Sequence, residues 1–108
     1  MAAKSFRLIW TAPALDDLDE IAAWIATENR TAADRLVRRV LAKVEPLTRF
    51  PESGRRVPEL PGRTPYREVI VPPCRVIYRR EGSRGVLIVH VRRSERLLVP
   101  ADLAREEE

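Results

Sequence analysis

The stretch CRVIYRREGSRGVLIVHVRRSER, residues 74–96, decides the fold. Two apolar runs flank the polar linker EGSRG, residues 81–85, and this pattern is typical of a β-hairpin. Seven arginines and one histidine accompany the two runs. A hairpin that only closed a core would not need so many cations, so we expect this one to present charge to a partner.

Residue alternation along the two strands predicts one apolar face and one cationic face. The apolar face would carry Cys74, Val76, Tyr78, Leu87, Val89 and Val91. The opposite face would carry Arg75, Ile77, Arg79, Ile88, His90 and Arg92. Because an unpaired guanidinium is costly to bury, we expect helices to cover the apolar face. The four basic side chains on the other face would then form an uncovered cationic groove.

Two amphipathic segments precede the hairpin. Apolar residues at helical spacing predict a first helix from about Ala12 to about Glu28, with Thr11 as its cap. Thr31 and Asp34 resemble a capping box, so a second helix is expected to begin there and to end or kink at Pro46. The short connection between the two makes them an antiparallel helical hairpin.

The remaining elements complete an α+β fold. Phe6–Trp10 is a short β-type run, and residues 51–65 hold four prolines and two glycines, which predicts an irregular loop. Strands are expected over Tyr66–Val71, Arg75–Arg80 and Val86–Arg92. The predicted fold is a short N-terminal strand, a two-helix antiparallel hairpin and a three-stranded antiparallel meander, with the helices packed on one sheet face.

Size and charge limit the classes of function. With 108 residues the chain is expected to form one domain over residues 1–100, followed by an acidic tail over residues 101–108. No stretch is long and apolar enough for a membrane helix, and no secretion signal is evident, so we expect a cytoplasmic protein. Residues 46–100 carry twelve arginines and five acids, a balance that suits a nucleic acid or an acidic protein.

The chain offers few residues for catalysis or for metal binding. Its single cysteine, Cys74, allows no internal disulfide, and no metal-ligand spacing is present, so no cofactor or metal is expected. Trp10 and Trp24 are interpreted as packing residues. His90 either fills a strand position or moves protons in RNA cleavage, and both readings stay open at this point.

Three stretches carry a resemblance to a known family. They are LDEIAAWIATEN in the first helix, FPESGRRVPEL in the loop, and CRVIYRREG with HVRRSE in the hairpin. Together with the order of elements, they make the chain similar to the ParE/RelE superfamily of toxins from type II toxin–antitoxin systems, over about Phe6 to Val99. The FPE-x-G-R loop is typical of the ParE branch, although Val91 and Ser94 replace the glycine and aspartate common near the end of its last strand.

The resemblance implies a function and a set of site residues. ParE-like members poison DNA gyrase, RelE-like members cleave mRNA on the ribosome, and an antitoxin neutralises both. As residues that bind a partner, the resemblance and the alternation together suggest Arg75, Arg79, His90, Arg92, Arg93 and Arg96. A ribonuclease would instead use Arg75, His90 and Arg92 as catalytic residues.

One departure from the RelE pattern separates these readings. Leu97, Leu98 and Val99 stand where a RelE-type ribonuclease has a C-terminal tyrosine. We therefore expect a non-enzymatic toxin that inhibits gyrase and binds a cognate antitoxin. The alternatives are a ribosome-dependent mRNA endoribonuclease and a degenerate protein that only binds its antitoxin.

Overall fold

The computed structural model describes residues 5–95 together with residues 102 and 103. Its elements, in chain order, are β1 (Arg7–Trp10), α1 (Ala12–Ala26), α2 (Arg30–Val44), a 3₁₀ helix (Glu45–Thr48), β2 (Arg55–Arg56), β3 (Tyr66–Val71), β4 (Cys74–Glu81) and β5 (Gly85–Arg93). The predicted α+β fold is confirmed. The short strand β2, inside the segment expected to be an irregular loop, was not predicted.

The strands form one five-stranded sheet in the order β1-β5-β4-β3-β2. The three long strands make the predicted antiparallel meander, and β1 joins its far edge parallel to β5. β1 pairs only with residues 85–88 of β5, so the last five residues of β5 extend beyond their neighbour. The chain turns into α1 at this point, and α1 packs on that part of the molecule.

Both helices begin at a side-chain cap. Thr11 caps α1 as predicted, because its Oγ1 accepts a hydrogen bond from the Ala14 amide at 3.2 Å. The cap predicted for α2 is wrong. Asn29, not Thr31, accepts the Ala32 amide at 3.0 Å, and Thr31 lies inside the helix. α2 ends at Val44, two residues before Pro46, and the 3₁₀ helix continues the turn.

The main core lies between the two helices and one face of the sheet. Fully buried aliphatic residues of α2 supply one side of it, with Leu36, Val40 and Val44 each no more than 1% exposed. The sheet supplies the other side. Its buried contributions to this core are Val71, Cys74, Val76, Tyr78, Val86, Ile88 and Val91. The helices therefore pack on one sheet face, as the sequence predicts.

A β-bulge in β5 overturns the predicted alternation of that strand. Tyr78 pairs with Ile88, but the preceding residue, Ile77, pairs with His90, so Val89 is an extra residue. One extra residue exchanges the faces of the residues that follow it. Ile88 and Val91 consequently share the main core, although they were expected on opposite faces.

The sheet face away from the helices is not open, as the sequence had led us to expect. A second apolar cluster covers it, made of Val57 from the loop, Ile77, Val89 and Leu103. Leu103 belongs to the predicted acidic tail and is only 8% exposed. No helix within the described residues is long and apolar enough to span a bilayer.

Candidate functional site

The predicted cationic groove is replaced by two clusters in which the basic groups meet carboxylates. Arg75 and His90 are each only 5% exposed. The side chains of Arg79, Arg92 and Arg93 retain 19%, 21% and 26% of their accessible surface, respectively. Arg96, the sixth predicted partner-binding residue, lies outside the described residues. The expectation that Arg75, Arg79, His90 and Arg92 project together from an uncovered face is therefore wrong.

The first cluster, the arginine–carboxylate network, consists of Arg55, Glu59, Glu68 and Arg75. Arg75 Nη1 donates to Glu59 Oε1 at 2.9 Å and to Glu68 Oε1 at 3.2 Å. Arg55 Nε donates to the other oxygen of Glu68 at 2.6 Å. Hydrogen bonding to Glu59 and the nearby negative charges raise the pKa of Arg75, although burial opposes this shift. The network holds the guanidinium charge inside the fold.

Gly54, in the FPESGRR stretch, lies at a position where the fold leaves no room for a side chain. The Gly54 amide is buried and donates to Tyr78 Oη at 2.9 Å. A Cβ at this position would lie 2.6 Å from that oxygen and 2.8 Å from the backbone oxygen of Glu68. A backbone carbonyl in a paired strand cannot move aside as a flexible side chain can. The loop thus approaches the sheet closely, and Glu59, five residues later, pairs with Arg75.

The second cluster, the β5 edge cluster, consists of Asp17, His90, Arg92 and Asp102. Asp17 from α1 accepts the Val91 amide at 3.0 Å, at the part of β5 that extends beyond β1. The same carboxylate contacts His90 Nδ1. Arg92 Nη1 lies 2.9 Å from His90 Nε2 and 2.9 Å from Asp102 Oδ2. Asp17 therefore accepts a backbone hydrogen bond from the edge of β5 that β1 does not cover, and the same carboxylate orients the imidazole of His90.

A cavity of about 370 Å³ adjoins this second cluster, between α1 and the end of β5. Its lining is acidic on the α1 side, from Asp17 and Glu20, and basic on the β5 side, from Arg92 and Arg93. Trp24 is 63% exposed at its rim, so the expectation that it packs in the core is wrong. The Arg93 guanidinium lies 4.5 Å from the centre of the Trp24 ring.

The two clusters consist of arginines, carboxylates and one histidine. No group of three or more potential metal ligands occurs among residues 5–95, 102 and 103. Cys74 is fully buried, and burial raises the pKa of its thiol, so the reactive thiolate is disfavoured.

The sequence interpretation missed the acidic partners Asp17, Glu59, Glu68 and Asp102. Only Glu68 carried a usable signal, because an acid inside the apolar strand YREVIV needs a buried partner.

Comparisons with known proteins place these features in a family. Residues 8–98 match the family described as the ParE toxin of the type II toxin–antitoxin system parDE. The chain is 38% identical over 86 residues to a Sinorhizobium fredii protein named "Putative toxin Y4kP", covering 79% of this chain and 84% of that protein.

Two solved structures share the fold. One is the chromosomal ParDE toxin–antitoxin system of P. aeruginosa, with a TM-score of 0.69, 22% identity, and coverage of 86% of this chain and all of that one. The other is the RelBE2 toxin–antitoxin complex of Mycobacterium tuberculosis, with a TM-score of 0.51, 18% identity, and coverage of 82% and 98%. With the match over residues 8–98, the chain belongs to the ParE family of type II toxin–antitoxin toxins.

Proposed function

We propose that the protein is a toxin that inhibits DNA gyrase by binding and without a catalytic step, and that a cognate antitoxin neutralises it. Its place in the ParE family supports the gyrase target. One observation carries the non-enzymatic part. The two groups that a ribonuclease would need most, Arg75 and His90, are each 5% exposed and are engaged with carboxylates.

The burial of these groups argues against RNA cleavage on physical grounds. A general base must come within about 3 Å of the proton that it removes, directly or through one water. An arginine that stabilises a phosphoryl transition state must likewise touch the phosphate oxygens. To do so, Arg75 would have to leave Glu59 and Glu68, and the buried Glu68 would keep only Arg55, whose side chain is 57% exposed, as its cation. Such a rearrangement costs several kcal/mol.

A direct experiment compares gyrase and ribosome as targets. Purified toxin in stoichiometric amounts should reduce supercoiling by gyrase and should cause cleaved DNA to accumulate. The His90→Gln variant keeps a polar side chain and removes only the titratable ring, so it should inhibit gyrase within about threefold of the wild type. The catalytic alternative predicts a loss of about 10²–10⁴ in rate for this variant. Multiple-turnover loss of mRNA on ribosomes, with gyrase unaffected, would overturn the proposal.

For the antitoxin, the helical hairpin offers an apolar surface. Leu15, near the start of α1, and Leu41, near the end of α2, are 46% and 49% exposed, and the antiparallel hairpin brings these two helix ends side by side. Large apolar side chains that stay exposed together mark interaction sites. An amphipathic antitoxin helix could lie on this surface while an extended acidic stretch reaches Arg79, Arg92 and Arg93. A stable complex of this kind buries about 2,000 Å² or more.

The antitoxin site can be tested with a matched pair of variants. Leu15→Glu/Leu41→Glu should weaken antitoxin binding at least tenfold, because it places two charges in the apolar contact. Phe50→Glu adds a charge at another exposed apolar residue outside the hairpin, and it should bind normally. Equal effects of the two variants, or no binding of the antitoxin by the wild type, would contradict the proposed surface.

A further inference from the structure

The two helices of the hairpin carry opposite charge. α1 contains four acidic residues and no basic ones, whereas α2 contains five basic residues and one acidic residue. The net charges of the two helices are thus about equal and opposite. Because α1 packs toward β5 and α2 toward β3, the two charges lie toward different sides of the molecule.

Four of the cations on α2 form a solvent-exposed row, which we call the basic stripe. Its members are Arg35, Arg38, Arg39 and Lys43, and all four are exposed. Within the part of the chain that the structure describes, none of them forms an ion pair with a carboxylate. Arg39 makes one contact, from Nη2 to the Pro72 oxygen at 2.6 Å, which uses one donor and leaves the charge uncompensated.

This row contrasts with the cations that the sequence first pointed to. Arg75, Arg79, Arg92 and Arg93 all pair with carboxylates of the same chain. Glu45, which follows α2, pairs with Arg49, and Asp34, the one acid of α2, forms no ion pair among the described residues. The basic stripe therefore gathers four cations without an ion pair on the outer side of one helix.

Several features of the basic stripe identify the chemistry of its partner. Arg35, Arg39 and Lys43 succeed one another every four residues, which spaces their Cα atoms by about 6 Å along a straight line. Such a line suits a polyanion with regularly repeated charges. α2 contains no aromatic residue, so a stacking platform for single-stranded bases is not provided. The stripe also lacks an apolar anchor for a peptide, because Leu41 lies outside it.

We propose that the basic stripe binds the phosphate backbone of duplex DNA and thereby seats the toxin against the DNA that gyrase holds. This inference rests on the proposed function. Contacts from arginine and lysine to phosphate oxygens position a protein on a duplex without reading its sequence. The acidic helix α1 faces away and keeps its apolar surface for protein contacts. The hairpin would thus bind DNA through the basic stripe of α2 and proteins through exposed apolar side chains outside that stripe.

The test measures DNA binding without gyrase, so that it is independent of gyrase inhibition. Full-length toxin is titrated into a fluorescent 30-base-pair duplex at several salt concentrations. Four phosphate contacts predict a slope of log K against log salt of about −3.6, or about a 150-fold loss of affinity between 50 and 200 mM salt. Arg35→Ala/Arg38→Ala/Lys43→Ala should reduce the slope to about −1.

A control variant removes the same charge elsewhere. Arg7→Ala/Arg63→Ala/Arg84→Ala also deletes three exposed arginines, all outside α2, and it should keep the wild-type slope and affinity. Circular dichroism and thermal unfolding confirm that both triple variants fold. The proposal is overturned if the wild type does not bind the duplex at 50 mM salt, or if both variants lose affinity equally.

Two further measurements distinguish other partners and separate this inference from the proposed function. Tighter binding to a single-stranded RNA of equal length, or loss of antitoxin binding in the stripe variant, would assign the stripe to another polyanion and overturn the DNA proposal.

In supercoiling assays, inhibition of gyrase by the stripe variant should require at least a tenfold higher concentration than inhibition by the control variant. If no version inhibits gyrase but the salt slopes are as expected, the proposed function fails while the DNA contact stands.

Discussion

Arg92 Nη1 donates a hydrogen bond to His90 Nε2 across 2.9 Å. A guanidinium has no acceptor, so the ring nitrogen must supply a lone pair. The contact therefore assigns a ring proton to Nδ1, the nitrogen that contacts Asp17. The two neighbours of His90 fix its tautomer from opposite sides, and the ring links α1 to the end of β5.

This assignment predicts a specific nuclear magnetic resonance signature. In a long-range ¹H–¹⁵N spectrum at pH 7, His90 should show a protonated Nδ1 and an unprotonated Nε2. Arg92→Met removes the donor that requires an acceptor at Nε2, and it should allow a protonated Nε2 to appear while Asp17 still accepts from Nδ1. A wild-type ring protonated on Nε2 would contradict the described contact. Because the chain has one histidine, the signal needs no assignment.

Arg75→Met should destabilise the fold strongly. The substitution leaves Glu68, which is 1% exposed, with Arg55 alone and leaves Glu59 without its main partner. Removing one member of a buried ion pair costs about 3–5 kcal/mol in the free energy of unfolding. Urea denaturation at pH 7 measures the loss.

Arg55→Met is the matched control for this prediction. Arg55 also pairs with Glu68, but its side chain is 57% exposed, and Arg75 still compensates the carboxylate when Arg55 is absent. We expect a loss of about 1 kcal/mol or less. Equal losses in the two variants would show that Arg75 is not the central cation of the network. A variant with Arg75→Met and Glu68→Gln together should recover part of the stability.

Asn29→Ala should cost about 1 kcal/mol of unfolding free energy, because it removes the acceptor of the Ala32 amide at the start of α2. Thr31→Ala should be close to neutral, since Thr31 lies inside the helix and alanine has the higher helix propensity. Thermal unfolding of the two variants compares them directly. A larger loss for Thr31→Ala would favour the cap predicted from the sequence.

The prediction of the fold succeeded where a local pattern had one interpretation. The strand Tyr66–Val71 and the start of α1 at Ala12 are observed at the predicted residues. At the start of α2 two caps were possible. Thr31 and Asp34 resemble a capping box, and Asn29, two residues earlier, is also a residue type that commonly caps the start of a helix. Only the packing of the helix on the sheet selects between them.

The site was harder to predict, because its arrangement depends on contacts between distant residues. Alternation placed Arg75 correctly opposite the main core, but a single bulged residue, Val89, means that Leu87 and Ile88 lie on the faces opposite to those predicted. No rule on one strand predicts such a bulge. The acids that compensate the arginines come from α1, the loop and the tail, so a charge count within the hairpin could not reveal them.

Tyr78→Phe should cost about 1–3 kcal/mol at pH 7, because it leaves the buried Gly54 amide without its acceptor. The phenol also adds a pH dependence. Burial raises the pKa of Tyr78 above its ordinary value of 10.0, and the hydrogen bond from Gly54 only partly opposes this. The folded state therefore keeps the proton at a pH where the unfolded state loses it.

The direction of the pH effect follows from proton binding. Above about pH 10 the folded wild type binds more protons than its unfolded state, so its stability falls as pH rises further. Tyr78→Phe lacks this contribution, and the gap between the two proteins, measured as urea unfolding free energy, should narrow from pH 10 upward. Burial of Cys74 raises the pKa of its thiol in the same direction, but that contribution is common to both proteins and cancels in the comparison. Parallel stability curves above pH 10 would mean that the phenol ionises as easily in the fold as in the unfolded chain, and that burial does not raise its pKa.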